Sequence, residues 1–109
     1  MTLTIVESVE RWYADNSKRF STYFEIFRLR SKDSGDATQG KAVIEFDSPS
    51  LVGSVTFWND RSVTVLAVEK ELGTERILDD RRVDIAESIP ALLERYFTQL
   101  TPDEQKETG

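Results

Sequence analysis

Alternation of apolar and polar side chains is strongest between residues 52 and 68. The stretch VGSVTFW, ending at Trp58, and the stretch SVTVLAV, starting at Ser62, are rich in β-branched and aromatic residues. Asn59 and Asp60 follow the first stretch, and a short polar turn between two alternating runs is typical of a β-hairpin. This segment therefore predicts two antiparallel strands joined by a tight turn.

Three further runs predict strands, at residues 22–30, 41–47 and 75–79. The first is rich in aromatic and branched residues, and the second places Ala42, Ile44 and Phe46 on one side of the strand. The third is short and charged, as an edge strand often is, because charge discourages edge-to-edge pairing. Residues 31–40 are polar and predict a mobile loop. Gly53, a lone strand glycine, indicates a bulge or a close backbone approach.

Helical periodicity marks the first part of the chain. Thr4 and Glu7 have the spacing of a capping box, so we expect a helix to begin there and to stop near Arg19. Its apolar stripe comprises Ile5, Val9, Trp12 and Tyr13, with Val6 at the edge. Because Trp12 lies on this stripe, we expect it to be a core residue.

A second amphipathic helix is predicted before Thr101 and Pro102. Its apolar positions are Ile85, Ile89, Leu92, Leu93, Tyr96, Phe97 and Leu100. The start has two candidates: Asp84 with Glu87, or Ser88, which would place Pro90 in the tolerated first turn. The two starts are compatible if the helix bends between them.

The order helix, strands, helix predicts an α+β fold, an antiparallel β-meander of about five strands flanked by an N-terminal and a C-terminal helix. We expect one domain over residues 1–102 and a frayed acidic tail at 103–109. Both helices should cover one sheet face, made of Ala42, Ile44, Phe46, Leu51, Val55, Phe57, Val63, Val65 and Ala67. Alternation does not decide whether the other face meets water, because it also carries apolar residues.

Charge narrows the classes of partner. The chain has 20 acidic and 14 basic residues and a net charge of -6, so a phosphate backbone would be repelled. A basic protein partner would be attracted instead. The 109 residues include no cysteine, and the start of the sequence lacks a secretory pattern. We therefore expect a soluble cytoplasmic protein that binds neither nucleic acid nor membrane.

The inventory of reactive side chains argues against catalysis. Without His or Cys, only carboxylates, Lys, Tyr and Ser remain for acid, base or nucleophile roles. The oxygen-rich stretches around Asp33 and Asp36, and at Asn59 and Asp60, are better explained as turns than as calcium loops. We expect no enzyme activity, no cofactor and no metal.

Trp58 is the residue whose role the pattern leaves open. It closes a predicted strand beside a turn, and tryptophan is enriched at binding hot spots. A tryptophan in this position can equally cover the end of a sheet. Both interpretations stand at this point.

Three features point to one family: the order of the elements, the pair Trp12-Tyr13 on the first helix, and the strand with the pattern Gly53-x-x-x-x-Trp58. In these features the chain resembles the TriTu family of bacterial immunity proteins, over roughly residues 9–100. The resemblance implies a non-enzymatic protein that neutralises a cognate ADP-ribosyltransferase toxin of a contact-dependent (type VI) secretion system. Such a toxin modifies elongation factor Tu, and the immunity protein occludes its NAD or substrate cleft. The third tryptophan of the family pattern is missing here.

On this interpretation we expect a monomer or a 1:1 complex, with partner-binding residues at one turn and in the polar loop. These residues are Trp58, Asn59, Asp60, Asp33 and Asp36. Two alternatives from other classes remain. One is a secretion chaperone or adaptor that holds an effector without inhibiting it, and the other is a small-ligand-binding or carboxylate-based enzyme domain.

Overall fold

A computed structural model describes residues 3–32 and 40–101 of the chain. The elements are α1 (Ile5–Ser21), β1 (Ile26–Lys32), β2 (Lys41–Asp47), β3 (Leu51–Trp58), β4 (Ser62–Glu69), β5 (Thr74–Arg82) and α2 (Ile89–Leu100). Within the described residues the strands form one antiparallel sheet in the order β1-β2-β3-β4-β5. The predicted α+β meander between two helices is confirmed. The polar loop was predicted over residues 31–40, but Ser31 and Lys32 continue β1 because they pair with Ala42 and Lys41. Residues 33–39 of that loop, with Asp33 and Asp36, and the tail at 103–109 lie outside the described residues.

The N-terminus of α1 has the predicted capping box. The Thr4 hydroxyl accepts from the backbone N–H of Glu7 at 3.1 Å, and the Glu7 carboxylate accepts from the backbone N–H of Thr4 at 2.8 Å. The helix runs to Ser21, slightly beyond the predicted stop. Val6, predicted at the edge of the stripe, is fully buried because this end of α1 packs against the turn between β3 and β4.

Strand boundaries follow the predictions closely in the centre of the sheet and less closely at its edges. β1 begins at Ile26, later than predicted, because the chain first turns after α1, where the Tyr23 N–H donates to the Phe20 carbonyl at 2.9 Å. β5 is longer than the predicted 75–79. A bulge interrupts its pairing with β4: Val65 faces Asp79 and Leu66 faces Ile77, so Leu78 is an extra residue.

Both helices cover the predicted face of the sheet. Eight of the nine predicted positions there are buried, and Leu51 is partly buried. The centre of this core is the ring of Phe97 in α2, whose centroid lies 5.0–6.2 Å from those of five other aromatic rings. These rings belong to Trp12, Phe20, Phe24, Phe27 and Phe46. Trp12 is therefore a core residue, as predicted.

The start of α2 is settled in favour of Ser88, whose hydroxyl accepts from the backbone N–H of Ala91 at 3.3 Å. Asp84 and Glu87 belong to a separate turn, in which the Glu87 N–H donates to the Asp84 carbonyl at 3.0 Å. The prediction that Ile85 joins the apolar stripe is wrong. Ile85 is 85% exposed because α2, and with it the helical periodicity, begins only at Ile89. No helix in residues 3–32 or 40–101 is both long and apolar enough to span a bilayer.

Candidate interaction surface

The sheet face opposite the two helices is uncovered by any element in the described part of the chain. This open face consists of the even-numbered residues of β1, β3 and β4, the odd-numbered residues of β2, and Glu75, Ile77, Asp80 and Arg82 of β5. Apolar and threonine side chains occupy its centre, where Val43, Leu66 and Val68 are half-buried. Its exposed apolar side chains include Val52 on β3 and, on the edge strands, Ile26 and Ile77. A face of this kind is a candidate interaction surface, since exposed apolar side chains that no other element covers often mark contacts with other proteins.

Trp58 lies on the open face at the end where β3 meets its turn. Across the sheet it pairs with Lys41 of β2, and Lys41 pairs in turn with Lys32 of β1. On the other side of the turn, Ser62 begins β4 and pairs with Arg82 of β5. We call this line of residues, Lys32, Lys41, Trp58, Ser62 and Arg82, the basic row. Trp58 is half-buried within it.

Asn59 holds the turn against α1. Its side-chain oxygen accepts from the backbone N–H of Val6 at 3.0 Å, and its own N–H donates to the Gly40 carbonyl at 2.9 Å. The bond to Val6 satisfies one of the N–H groups that a helix start leaves without an intrahelical partner. The structure thus gives Asn59 a contact inside the fold, although the sequence predicted a contact with a partner.

Asp60 and Arg61 complete the turn. The Asp60 carboxylate accepts from the Ser62 backbone N–H at 2.9 Å, and hydrogen bonds from Ser62 hold the pKa of this carboxyl below its usual value. Arg61 has φ +79°, a conformation that a non-glycine residue rarely adopts. Its guanidinium donates to the Val83 carbonyl at 2.8 Å and to the Asp84 carbonyl. Arg61 could not be predicted as part of this site, because nothing in the local sequence marks it as a residue with positive φ.

A second charged cluster lies on the helical side of β5. Arg81 donates to the Asp79 carboxylate at 3.0 Å and makes a two-point contact with Glu87 at 2.7 and 2.8 Å. The Tyr96 hydroxyl of α2 donates to the same Asp79 carboxylate at 2.5 Å. The bulge at Leu78 makes this possible, since after it Asp79 and Arg81 pair with residues of the buried face. The cluster fastens the edge strand to the segment before α2.

The ionisation of these groups reflects their partners. Hydrogen bonds from Arg81 and from the Asp84 backbone lower the pKa of Glu87 from 4.5 to about 2, and bonds to Glu87 and Asp79 raise the pKa of Arg81. Burial, reinforced by the bond to Asp79, raises the pKa of Tyr96. Each shift favours the charge state that the contacts need. At neutral pH, Arg81 and Glu87 are therefore charged and Tyr96 is protonated, which are the states in which these contacts form.

Two surface grooves lie away from this cluster. One, of about 350 Å³, lies beside the end of α2 and is lined in part by Leu51, Glu69 and Arg76. Another, of about 260 Å³, lies along α1 and is lined in part by Trp12 and Pro90. Neither groove contains a member of the Asp79–Arg81 cluster. Among residues 3–32 and 40–101, no three acidic side chains come together in a way that could hold a metal ion.

The low pKa of Glu87 predicts how the fold responds to acid. A carboxylate whose pKa is 4.5 unfolded and about 2 folded adds stability above pH 4.5 that is lost as the pH falls towards 2. Glu87→Gln should therefore be less stable than the wild type near neutral pH, with the difference shrinking below pH 4.5. Urea unfolding of both proteins across this pH range measures the difference in stability. A difference that stays constant with pH would contradict the assignment.

The structure brings together only some of the predicted site residues. Trp58 and Asp60 lie at one end of the open face, and Asn59 is turned towards α1. Asp33 and Asp36 lie outside the described residues. Comparison of the chain with protein-family models, with curated proteins and with solved structures finds no match.

Proposed function

We propose that the chain is an immunity protein that binds and neutralises a cognate ADP-ribosyltransferase toxin domain by occluding its NAD or substrate cleft. The observation that carries the proposal is the open face with Trp58 at its rim. The order of elements and the Gly53 to Trp58 motif, which resemble the TriTu immunity proteins, name the class of partner. The complex would be 1:1, and the chain itself performs no chemistry.

The open face has the composition of a protein interface. Its centre carries Val52, Leu66 and Val68 together with small hydroxyl side chains, and charged residues lie towards both edges. Interfaces of non-obligate complexes combine an apolar centre with a polar rim. Tryptophan is among the residues that lose most binding energy when truncated, particularly where neighbouring side chains exclude water around it. Trp58 satisfies that condition by its half-buried position.

The overall charge also suits the proposed partner. A cleft that binds NAD must accommodate its phosphates, and such clefts tend to be positive. A protein with a net charge of -6 is attracted to a positive surface before contact, which raises the association rate. The same field repels nucleic acid. The charge thus favours a protein partner.

The proposal predicts that an ADP-ribosyltransferase domain is encoded beside this gene, and the test is to truncate Trp58 and to measure binding to that domain. We expect Trp58→Ala to weaken the complex at least about 30-fold, the loss typical of a hot-spot residue. Leu72→Ala serves as the control, because Leu72 is 73% exposed at the turn between β4 and β5, at the opposite end of the sheet. Asn59 stays unchanged, since replacing it would remove a hydrogen bond to α1.

Activity of the bound toxin separates the alternatives. Transfer of ADP-ribose from NAD to elongation factor Tu should stop when the wild-type protein is present at equimolar amount. A toxin that is bound but still active would instead indicate a chaperone or adaptor. A toxin domain that does not bind the wild-type protein at all would refute the proposal.

A further inference from the structure

We infer that the basic row binds carboxylate groups on the surface of the partner protein. This inference rests on the proposed function and gives the site around Trp58 the opposite sign to the acidic site predicted from sequence. The partner we commit to is a protein surface that carries acidic side chains beside an apolar patch.

The first observation is a concentration of positive charge on an otherwise acidic molecule. Lys32 and Lys41 lie directly opposite each other on neighbouring strands, an arrangement that destabilises a sheet because like charges repel. Within residues 3–32 and 40–101, no carboxylate lies within ion-pair distance of either lysine. Among the described residues this repulsion has no internal counter-charge, and an external anion would relieve it.

Other cations of the open face contrast with these two. Arg28 and Arg30 of β1 both lie against the Glu45 carboxylate, at 3.2 and 3.0 Å, and Lys70 forms an ion pair with Asp47. Lys70 is paired one to one, and the two arginines share the single negative charge of Glu45. Among the described cations of the open face, those without an ion pair are Lys32, Lys41 and Arg82, and all three belong to the basic row.

Arg82 extends the basic row on the other side of Trp58. Its guanidinium donates to the Asp60 carbonyl at 3.1 and 3.2 Å. These bonds fix the side chain next to the turn. The Asp60 carboxyl, whose pKa is lowered first by hydrogen bonds from Ser62 and also by the charge of Arg82, offsets part of that charge without forming an ion pair with it. Cations therefore lie on both sides of the indole, and an acidic segment crossing the strand ends would meet them in succession.

The rest of the open face favours a protein over a nucleic acid. Single-stranded nucleic acids bind along extended basic grooves with several stacking rings, whereas the basic row has one tryptophan. The next row of the sheet contains Val43, Thr56 and Thr64, and Leu66 and Val68 lie farther along β4. The apolar side chains among these need apolar partner groups, which a protein surface supplies and a phosphate backbone does not. The net charge of -6 further disfavours a polyanion.

The inferred arrangement separates two electrostatic roles. The acidic body attracts a positive surface from a distance, and the basic row pairs with a local acidic patch after contact. Complementary charges at an interface fix its register and exclude wrong orientations more than they add affinity. The basic row would then determine which way round the partner binds.

Lys41→Glu tests the inference sharply because it should move stability and binding in opposite directions. The new carboxylate would face Lys32, so the like-charge pair becomes an ion pair and the urea midpoint should rise slightly. Binding to the toxin domain should nevertheless weaken at least about 30-fold, since an acidic patch would now meet a negative charge. Loss of binding in a stabilised variant cannot arise from misfolding.

Lys18→Glu is the matched control. Lys18 is exposed on α1, on the other side of the molecule, and the substitution changes the net charge by the same amount. We expect its affinity for the toxin domain to change by less than about threefold, in the direction of tighter binding, and by less still at high salt, because only the long-range attraction to a positive surface changes. Equal losses in the two variants would overturn the inference and leave the proposed function standing.

A second measurement decides the case in which the wild-type protein does not bind the toxin domain. Decaglutamate and a ten-nucleotide oligothymidylate are titrated separately into the labelled protein, and amide chemical shifts are followed by NMR. The inference expects decaglutamate to shift the signals of Lys32, Lys41 and Trp58, and to do so more weakly in Lys41→Glu. Tighter binding of oligothymidylate, or no shift with either probe, would overturn it.

Discussion

Gly53→Ala should lower the free energy of unfolding by at least about 4 kcal/mol, an exceptionally large loss for one methyl group. A Cβ atom at this position would overlap the carbonyl oxygen of Leu66 and would lie 2.9 Å from the Ala67 Cα and the Phe46 Cζ. Two of these atoms belong to the backbone of β4, which cannot move without separating the central strands. The close approach predicted from the lone glycine is confirmed here.

Urea unfolding measures the effect, and we expect the midpoint to fall by about 2 M. Gly73→Ala is the matched control. Gly73 has φ +67°, and a Cβ atom added there would meet nothing within 4 Å, so the loss should be only about 1 kcal/mol, from backbone conformation alone. Similar losses at both positions would contradict the steric explanation for Gly53.

Phe97→Ala should lower the free energy of unfolding by about 3–5 kcal/mol. The ring of Phe97 is fully buried and lies between the rings of α1, β1 and β2, at 5.6 Å from Trp12 and 5.0 Å from Phe27. Its removal leaves a cavity that rigid aromatic neighbours cannot close. At about 4 °C or more per kcal/mol for a domain of this size, the melting temperature should drop by about 12 °C or more.

Ile85→Ala is the control for Phe97, since both residues belong to the stripe predicted for the second helix. Ile85 is 85% exposed, so its truncation should change stability by less than about 0.5 kcal/mol. Thermal unfolding followed by circular dichroism compares the two variants. If Ile85→Ala proved as damaging as Phe97→Ala, the start of α2 at Ile89 would be wrong.

Features that depend on residues close in sequence could be predicted. The capping box needs only Thr4 and Glu7, and the alternation of β2 needs only seven consecutive residues. The start of α2 was narrowed to two candidates for the same reason, because Pro90 fits a first turn and not a helix interior. Local geometry limits the possibilities to one or two in each case.

Features that depend on strand phase could not be predicted. The contact of Arg81 with Asp79 and Glu87 requires the bulge at Leu78, which shifts the alternation of β5 and which no residue type announces. The charge around Trp58 is a similar case. Lys41 and Arg82 come near it only through the register of four strands, which no local sequence pattern reveals.

The positive φ of Arg61 has a consequence for the thermodynamics of association. The turn that begins at Trp58 is closed by the Arg61 N–H bond to the Trp58 carbonyl and tied by the Arg61 guanidinium to the Val83 carbonyl. Binding usually costs entropy because loops and side chains must be ordered in the complex. Here much of that ordering is already complete in the folded chain, so Trp58 would enter the proposed interface on a preorganised support.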